Sequence, residues 1–185
     1  MNGKGHPIPW YTYPCIDFIV GKNFADKKIL EFGAGQSTLW WARHAKSVVS
    51  LESNEVWFEE VKKRIPPNVR IYYSSPALEG FRNNKISKEK FDVIIVDGFD
   101  RARAAAEAEK MIKPNGCIIV DNADGFWGRE GTYPIMDLFR IRGFSRIDFY
   151  GHAPGVILPH CTSLFFKKKC FLLAGQENPR RIHES

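Results

Sequence analysis

The chain has 185 residues, 44% hydrophobic and 26% charged, with a formal net charge of +6. That profile is one of an ordinary globular domain and excludes a disordered, collagen-like or membrane-spanning chain. A chain of this length buries roughly 70% of the surface its unfolded form exposes, so it needs neither disulfides nor a structural metal to fold. Cys15, Cys117, Cys161 and Cys170 form no CxxC or Cys/His cluster, which argues against zinc. The opening MNGKGHPIPWY has no signal-peptide-like stretch, and no window approaches the roughly 18 apolar residues of a membrane span, so a cytoplasmic protein with no membrane partner is expected. The last 19 residues carry five Lys or Arg against two Glu, half of the positive excess. The charge therefore reads as a solvated tail and argues against a nucleic-acid partner.

Residues 1–26, with the rigid aromatic PWYTYP at 9–14, are expected to cover a site. The first strand is KKILEF (27–32), followed by a glycine turn and a short helix over 37–44. SVVSLE (47–52) is the second strand; Asn54 then caps a helix running to Arg64, closed by Pro66 and Pro67. VRIYYS (69–74) is the third, and the polar stretch 75–90 reads as a variable surface segment. FDVIIVD (91–97) precedes an Ala/Glu/Arg-rich helix over 101–112 that stops at a Lys113-Pro114-Asn115-Gly116 turn, and CIIVDN (117–122) follows. A loop at 123–132, with Phe126 and Trp127 among glycines, is a candidate lid. A helix over 133–142 and the strands SRIDFYG (145–151) and CTSLFFKK (161–168) complete the order.

Strands apolar almost throughout are buried on both faces, which predicts a parallel sheet with helices on each side. The last two strands lack a crossover helix and should pair antiparallel. The fold class is α/β, with three layers and a mostly parallel seven-stranded sheet closed by an antiparallel last strand. Residues 1–168 form one domain, and 169–185 are a basic tail.

The first strand runs into Glu31-Phe32-Gly33-Ala34-Gly35-Gln36-Ser37-Thr38. Glycines let the backbone turn sharply and approach a ligand, and the following helix offers unpaired N–H groups. Glu52 ends the second strand, 17 residues after Gly35, where a carboxylate can accept both hydroxyls of a ribose. Thr38 stands where a dinucleotide fingerprint has its third glycine, and Glu31 would repel a pyrophosphate. Glu31 suits a cationic amino group instead.

On EFGAG, Glu52 and the reversed final strand, the sequence resembles the class I S-adenosylmethionine-dependent methyltransferases over 27–168, with their Rossmann-like fold. The resemblance implies S-adenosylmethionine as cofactor. It implies that Gly33 and Gly35 lie against the methionine part, that Glu52 holds the ribose, and that Glu31 is near the amino group. Gln36 and Ser37 would contact the carboxylate. The position that often reads the adenine is Ser74-Ser75 here rather than an acid, so Ser75 is the candidate.

The fourth strand ends at Asp97 and the fifth at Asp121-Asn122, projecting polar groups into the same crevice. Asp97 and Asp121 are candidates for proton acceptance and substrate orientation, and Asn122 is counted with them among the candidate catalytic residues. This triplet is also similar to that of the metal-dependent O-methyltransferases, which bind Mg²⁺ there. Their Lys, three residues beyond the first Asp, is replaced by Asp100, followed by Arg101, so Mg²⁺ is not favoured and no metal ligand is assigned. The loop 151–160 brings His152 and His160 to the reactive side, and His152 is the candidate base.

The expected function is methyl transfer to a small-molecule acceptor, through a hydroxyl oxygen. Alternatives are an RNA methyltransferase, which would want an Asn/Asp-Pro-Pro-aromatic signature where DGFD stands, and a non-catalytic S-adenosylmethionine-binding module. The aromatic N-terminus and the tail leave a homo-oligomer open.

Overall fold

The structure is a computed structural model that describes residues 5–74, 81, 83–98, 100–125 and 129–173. Its sheet is built from β1 (Lys28–Phe32), β2 (Ser47–Glu52), β3 (Val69–Tyr73), β4 (Phe91–Val96), β5 (Ile112–Val120), β6 (Ser145–Gly151) and β7 (His160–Phe166). The order is β3-β2-β1-β4-β5-β7-β6. β7 pairs antiparallel with both β5 and β6, and the neighbouring pairs from β3 to β5 are parallel. This is the expected seven-stranded sheet with one reversed strand.

The period-2 alternation of strands divides the core. Leu30, Phe32, Ile94, Val96, Ile118, Val120 and Phe165 face one side. There they pack against α4 (Arg101–Met111) and α5 (Arg129–Ile141) through residues such as Ala105, Ala108, Ile135 and Phe139. Ile29, Val48, Val93, Ile95, Cys117, Ile119 and Leu164 face the other. They meet α1 (Tyr13–Val20) and α2 (Gln36–His44), where Trp41 is fully buried. α3 (Glu55–Lys62) packs on β2 and β3, its N-cap being Asn54, whose Oδ1 accepts from Trp57 N at 2.9 Å. Trimming one central residue such as Ile95 to alanine costs about 2–5 kcal/mol.

Four local features depart from the expectation. α1 is a full helix inside the covering segment: Pro14 is tolerated in its first turn, and Cys15, Ile16 and Ile19 make a buried stripe at helical spacing. The Lys113-Pro114-Asn115-Gly116 turn lies within β5 as an irregularity, since Phe91 pairs with Ile112 but Val93 with Cys117. A Cβ on Gly116 would come within 2.6 Å of the Asp92 carbonyl, so glycine is what lets the two strands close again. Within 75–90, Phe81 and Ile86 are buried in the core, so that segment is anchored as well as exposed. After Lys168, Cys170 and Leu172 are buried against α1 and β5, so packing continues past the expected domain edge. Ser75, Phe126, Trp127 and 174–185 lie outside the described residues. Among the described residues no helix is long and apolar enough to cross a membrane.

Candidate functional site

The strand order reverses between β1 and β4, and in open α/β sheets ligands bind at the carboxyl ends of strands at that point. Gly33 makes the turn here. Its φ of +107° is one that L side chains rarely adopt, and a Cβ would meet the backbone of Asp97 and Gly98 at 3.1 Å. A Cβ on Gly98 would in turn meet the Phe32 carbonyl oxygen at 2.9 Å. The ends of β1 and β4 are therefore in backbone contact, which sets the cofactor-type turn directly beside Asp97.

Glu52 locks the turn from the other side. Its Oε2 accepts from Ala34 N at 3.0 Å and its Oε1 from Asn54 N at 2.7 Å. Each oxygen keeps lone-pair capacity for a further donor. Trp57, in the first turn of α3, donates Nε1–H to the Ala34 carbonyl at 2.6 Å, and its ring lies over Gly35.

Glu31 is the most unusual group in this half. It is 1% exposed, and its Oε2 accepts from Thr38 Oγ1 at 2.6 Å and Ser50 Oγ at 3.0 Å. Its Oε1 is buried with no partner, as is Oε1 of Gln36 on the turn. Burial pushes the Glu31 carboxyl up to about 7; the hydroxyls of Ser37, Thr38 and Ser50 oppose this, and the charge of Glu52 adds to it. Ser37 thus faces Glu31 rather than standing apart as a separate contact. Buried acceptors without donors are costly, so this arrangement fits a cationic donor supplied by a ligand.

The second half is formed by the ends of β4, β5 and β7. Asp97 N–H donates to the Phe32 carbonyl, and Asp121 N–H to the Val96 carbonyl, so each acid is fixed one step along the sheet. Asp97 Oδ1 accepts from Arg101 Nη2 at 3.1 Å, and Asn122 Oδ1 accepts from the same nitrogen at 3.2 Å. Asp97 sits at the crevice mouth with 28% of its side chain exposed. Its carboxyl is held above the ordinary carboxylate range by burial first and by the Asp121 charge second; Arg101 opposes and Glu31 adds.

Asp121 is turned inward. Its Oδ1 accepts from Thr162 Oγ1 at 2.6 Å and faces His160 Nε2 at 3.6 Å. The Asp121 carboxylate pushes the His160 imidazole above its usual value, with burial opposing. Thr162 Oγ1 also accepts from Thr12 N at 3.0 Å, and Tyr13 N donates to the His152 carbonyl at 2.8 Å. The N-terminal segment is thereby tied over this end of the sheet. Tyr11 is fully buried, its hydroxyl accepting from Trp41 Nε1 at 3.1 Å. Burial raises the Tyr11 pKa well above the ordinary value, and the charges of Glu31, Asp97 and Asp121 raise it further.

The structure therefore brings Glu31, Gly33, Gly35, Gln36, Ser37 and Glu52 together on one half, and Asp97, Asp121 and Asn122 on the other. It places the His152 side chain on the exposed surface and His160 against Asp121. The strand-end register accounts for this: His160 is the first residue of β7, whereas His152 falls just beyond β6. Arg101 was missed as a site residue, although its spacing of four from Asp97 is a readable signal. Arg101 Nη2 places a positive charge between one carboxylate oxygen of Asp97 and the amide oxygen of Asn122.

No protein-family model matches the chain, and no curated protein matches it. Solved structures do. A precorrin-6y C5,15-methyltransferase from Geobacter metallireducens superposes with a TM-score of 0.62 at 12% identity, covering 83% of this chain and 87% of that one. An O-methyltransferase from Bacillus cereus, solved in complex with SAH, gives 0.59 at 21% identity, covering 76% and 74%. A spermidine synthase from Thermotoga maritima gives 0.59 at 15% identity, covering 85% of this chain and 57% of that one. At these identities the likeness is one of fold. The fold is the Rossmann-like fold of the class I S-adenosylmethionine-dependent methyltransferases. Because a synthase of another kind shares it, the activity must be argued from the site.

Proposed function

We propose that this protein transfers a methyl group from S-adenosylmethionine to a hydroxyl oxygen of a small-molecule acceptor. The observation that carries the reading is the buried Glu31 Oε1 with no partner at the foot of the glycine turn. A buried carboxylate met by neutral hydroxyls on one oxygen and by nothing on the other asks for a positively charged ligand group. When bound, the cofactor supplies a methyl group on a sulfonium sulfur. Glu31 and Gln36 hold the amino end, Gly33 and Gly35 allow close approach, and Glu52 accepts from the ribose hydroxyls.

Methyl transfer needs an in-line oxygen, an acceptor for its proton and exclusion of water. Asp97 lies beside the turn, partly exposed, with raised proton affinity, and takes the hydroxyl proton. Asn122 and Asp121 orient the acceptor side, and the segment from Trp10 to Pro14 closes over it. Binding of S-adenosylhomocysteine, measured calorimetrically and as a thermal shift with NAD as control, tests the cofactor. At 100 times its Kd the ligand adds about 2.7 kcal/mol. A shift with NAD alone would overturn the reading. Transfer of labelled methyl to a panel of hydroxylated metabolites, with RNA as a comparison acceptor, then tests the acceptor class.

A further inference from the structure

We propose that the Arg101 guanidinium occupies the place between Asp97 and Asn122 that a divalent cation would take, so that this site uses a built-in cation and excludes metal. The inference rests on the methyl-transfer reading for its meaning, but on Arg101 alone for its geometry. One nitrogen, Nη2, lies 3.1 Å from Asp97 Oδ1 and 3.2 Å from Asn122 Oδ1. Those are hydrogen-bond distances, and the two oxygens converge on a point already filled by positive charge. Mg²⁺ demands oxygens at roughly 2.0–2.1 Å in octahedral array. Asp121 Oδ1 is turned away to the Thr162 hydroxyl at 2.6 Å.

The local backbone aims the arginine. Asp100 is the N-cap of α4 with φ 55°, and its own carboxylate is occupied by Arg103 N at 3.4 Å and Arg103 Nε at 3.2 Å. Asp100 therefore does not compete for Arg101, which points back over the end of β4. Asn122 also has a left-handed backbone, φ 52°. Two of the three non-glycine residues with positive φ among the described residues thus flank this guanidinium. Backbone held in a sparsely populated region persists where the surroundings over-determine it, typically at functional sites. Arg101 Nε is buried without a partner among the described residues, a donor left for an acceptor oxygen once the site closes.

The chemical consequence concerns the proton. A guanidinium stays charged and donates hydrogen bonds, but it forms no coordinate bond that would acidify a bound hydroxyl as a metal does. It holds the acceptor oxygen in place, and proton removal falls to a side chain. Turnover is then indifferent to EDTA.

The test is titration of Mn²⁺ into the full chain, followed by the electron paramagnetic resonance signal of free Mn²⁺, with S-adenosylhomocysteine binding measured on the same samples. The wild type is expected to leave millimolar Mn²⁺ free. Arg101→Ala is expected to take up one equivalent, which Asp97→Asn in that background abolishes; Arg101→Lys should behave as wild type. Arg101→Gln, which keeps length but not charge, repeats the test should the alanine variant not fold. Uptake by the wild type that Asp97→Asn removes would overturn the proposal, as would a folded, charge-free variant that takes up none. Failure of S-adenosylhomocysteine to bind would remove the methyl-transfer reading and leave the Mn²⁺ result to decide the role of Arg101.

Discussion

The two halves of the crevice treat their buried acceptors in opposite ways. Around β1 and β2, Glu31 Oε1 and Gln36 Oε1 are buried with no donor. Around β4 and β5, Asp97 and Asn122 share an arginine nitrogen, and Asp121 takes a threonine hydroxyl. An unsatisfied buried acceptor is tolerated where a ligand completes it, whereas a saturated one needs nothing from outside. The first half is thus shaped for a cationic visitor and the second is self-sufficient in charge. Orphaned acceptors, rather than the mere presence of carboxylates, distinguish the first half from the second, whose orphan, Arg101 Nε, is a donor.

The strongest way to break this contrast is Gly33→Val. The variant forces a β-branched residue into φ +107° and its Cβ to 3.1 Å from the Asp97 and Gly98 backbone, so S-adenosylhomocysteine binding should be lost by calorimetry and stability should fall by at least about 1–3 kcal/mol. Asp97→Asn strikes the other half. Turnover should drop roughly 10²–10⁴-fold, while the Kd for S-adenosylhomocysteine changes by no more than about threefold. Unchanged turnover would remove Asp97 as proton acceptor.

Glu31→Gln sharpens the comparison through pH. Since the folded-state pKa is raised from 4.5 to about 7, the folded protein holds a proton between those values that the unfolded chain has lost. The stability this provides is complete below about pH 4.5 and is lost as pH rises through about 7. Glu31→Gln removes the penalty, so in the absence of ligand it should be the more stable protein at pH 8, by something on the order of 1–3 kcal/mol, with the gap closing by pH 4. Its affinity for S-adenosylhomocysteine should nonetheless fall about 10-fold or more, as a charge-assisted bond is lost. Equal unfolding curves across pH would sink the assignment. The smallest effect is expected for Thr162→Val, which leaves Thr12 N–H and Asp121 each short of a partner. It should cost about 1–3 kcal/mol by denaturant unfolding.

The sheet and its turn were legible because both rest on strong local signals. Runs such as Val93 to Val96 are apolar on both faces, and glycine at 33 and 35 has few other uses after a strand. α1 was not legible, because Pro14 and the aromatic run before it resemble extended chain, and only the docked surface shows that Cys15, Ile16 and Ile19 belong to one stripe. His152 and His160 could not be ranked from the sequence, because membership of the 151–160 loop says nothing about which imidazole a strand end turns inward. Arg101 was noted only as the residue after Asp100, and its place in the site stayed hidden for a related reason. The left-handed backbone at Asp100 that precedes it is a property no composition reveals.

The insertion of β7 between β5 and β6 bears on how the chain comes to fold. Thr12 N reaches Thr162 Oγ1 across 150 residues, and β7 is the last strand among the described residues. The β1 to β5 half can assemble while the chain is still being synthesised. The ends of β5 and β7, with the N-terminal segment tied to them, must wait until residues near 166 have emerged. Closing so long a loop is entropically costly and slow. Until then β5 presents an unpaired apolar edge, an opening for wrong pairing with another nascent chain. Removing β7 would leave that edge open, so a chain cut before residue 160 should show aggregation during expression rather than a merely inactive protein.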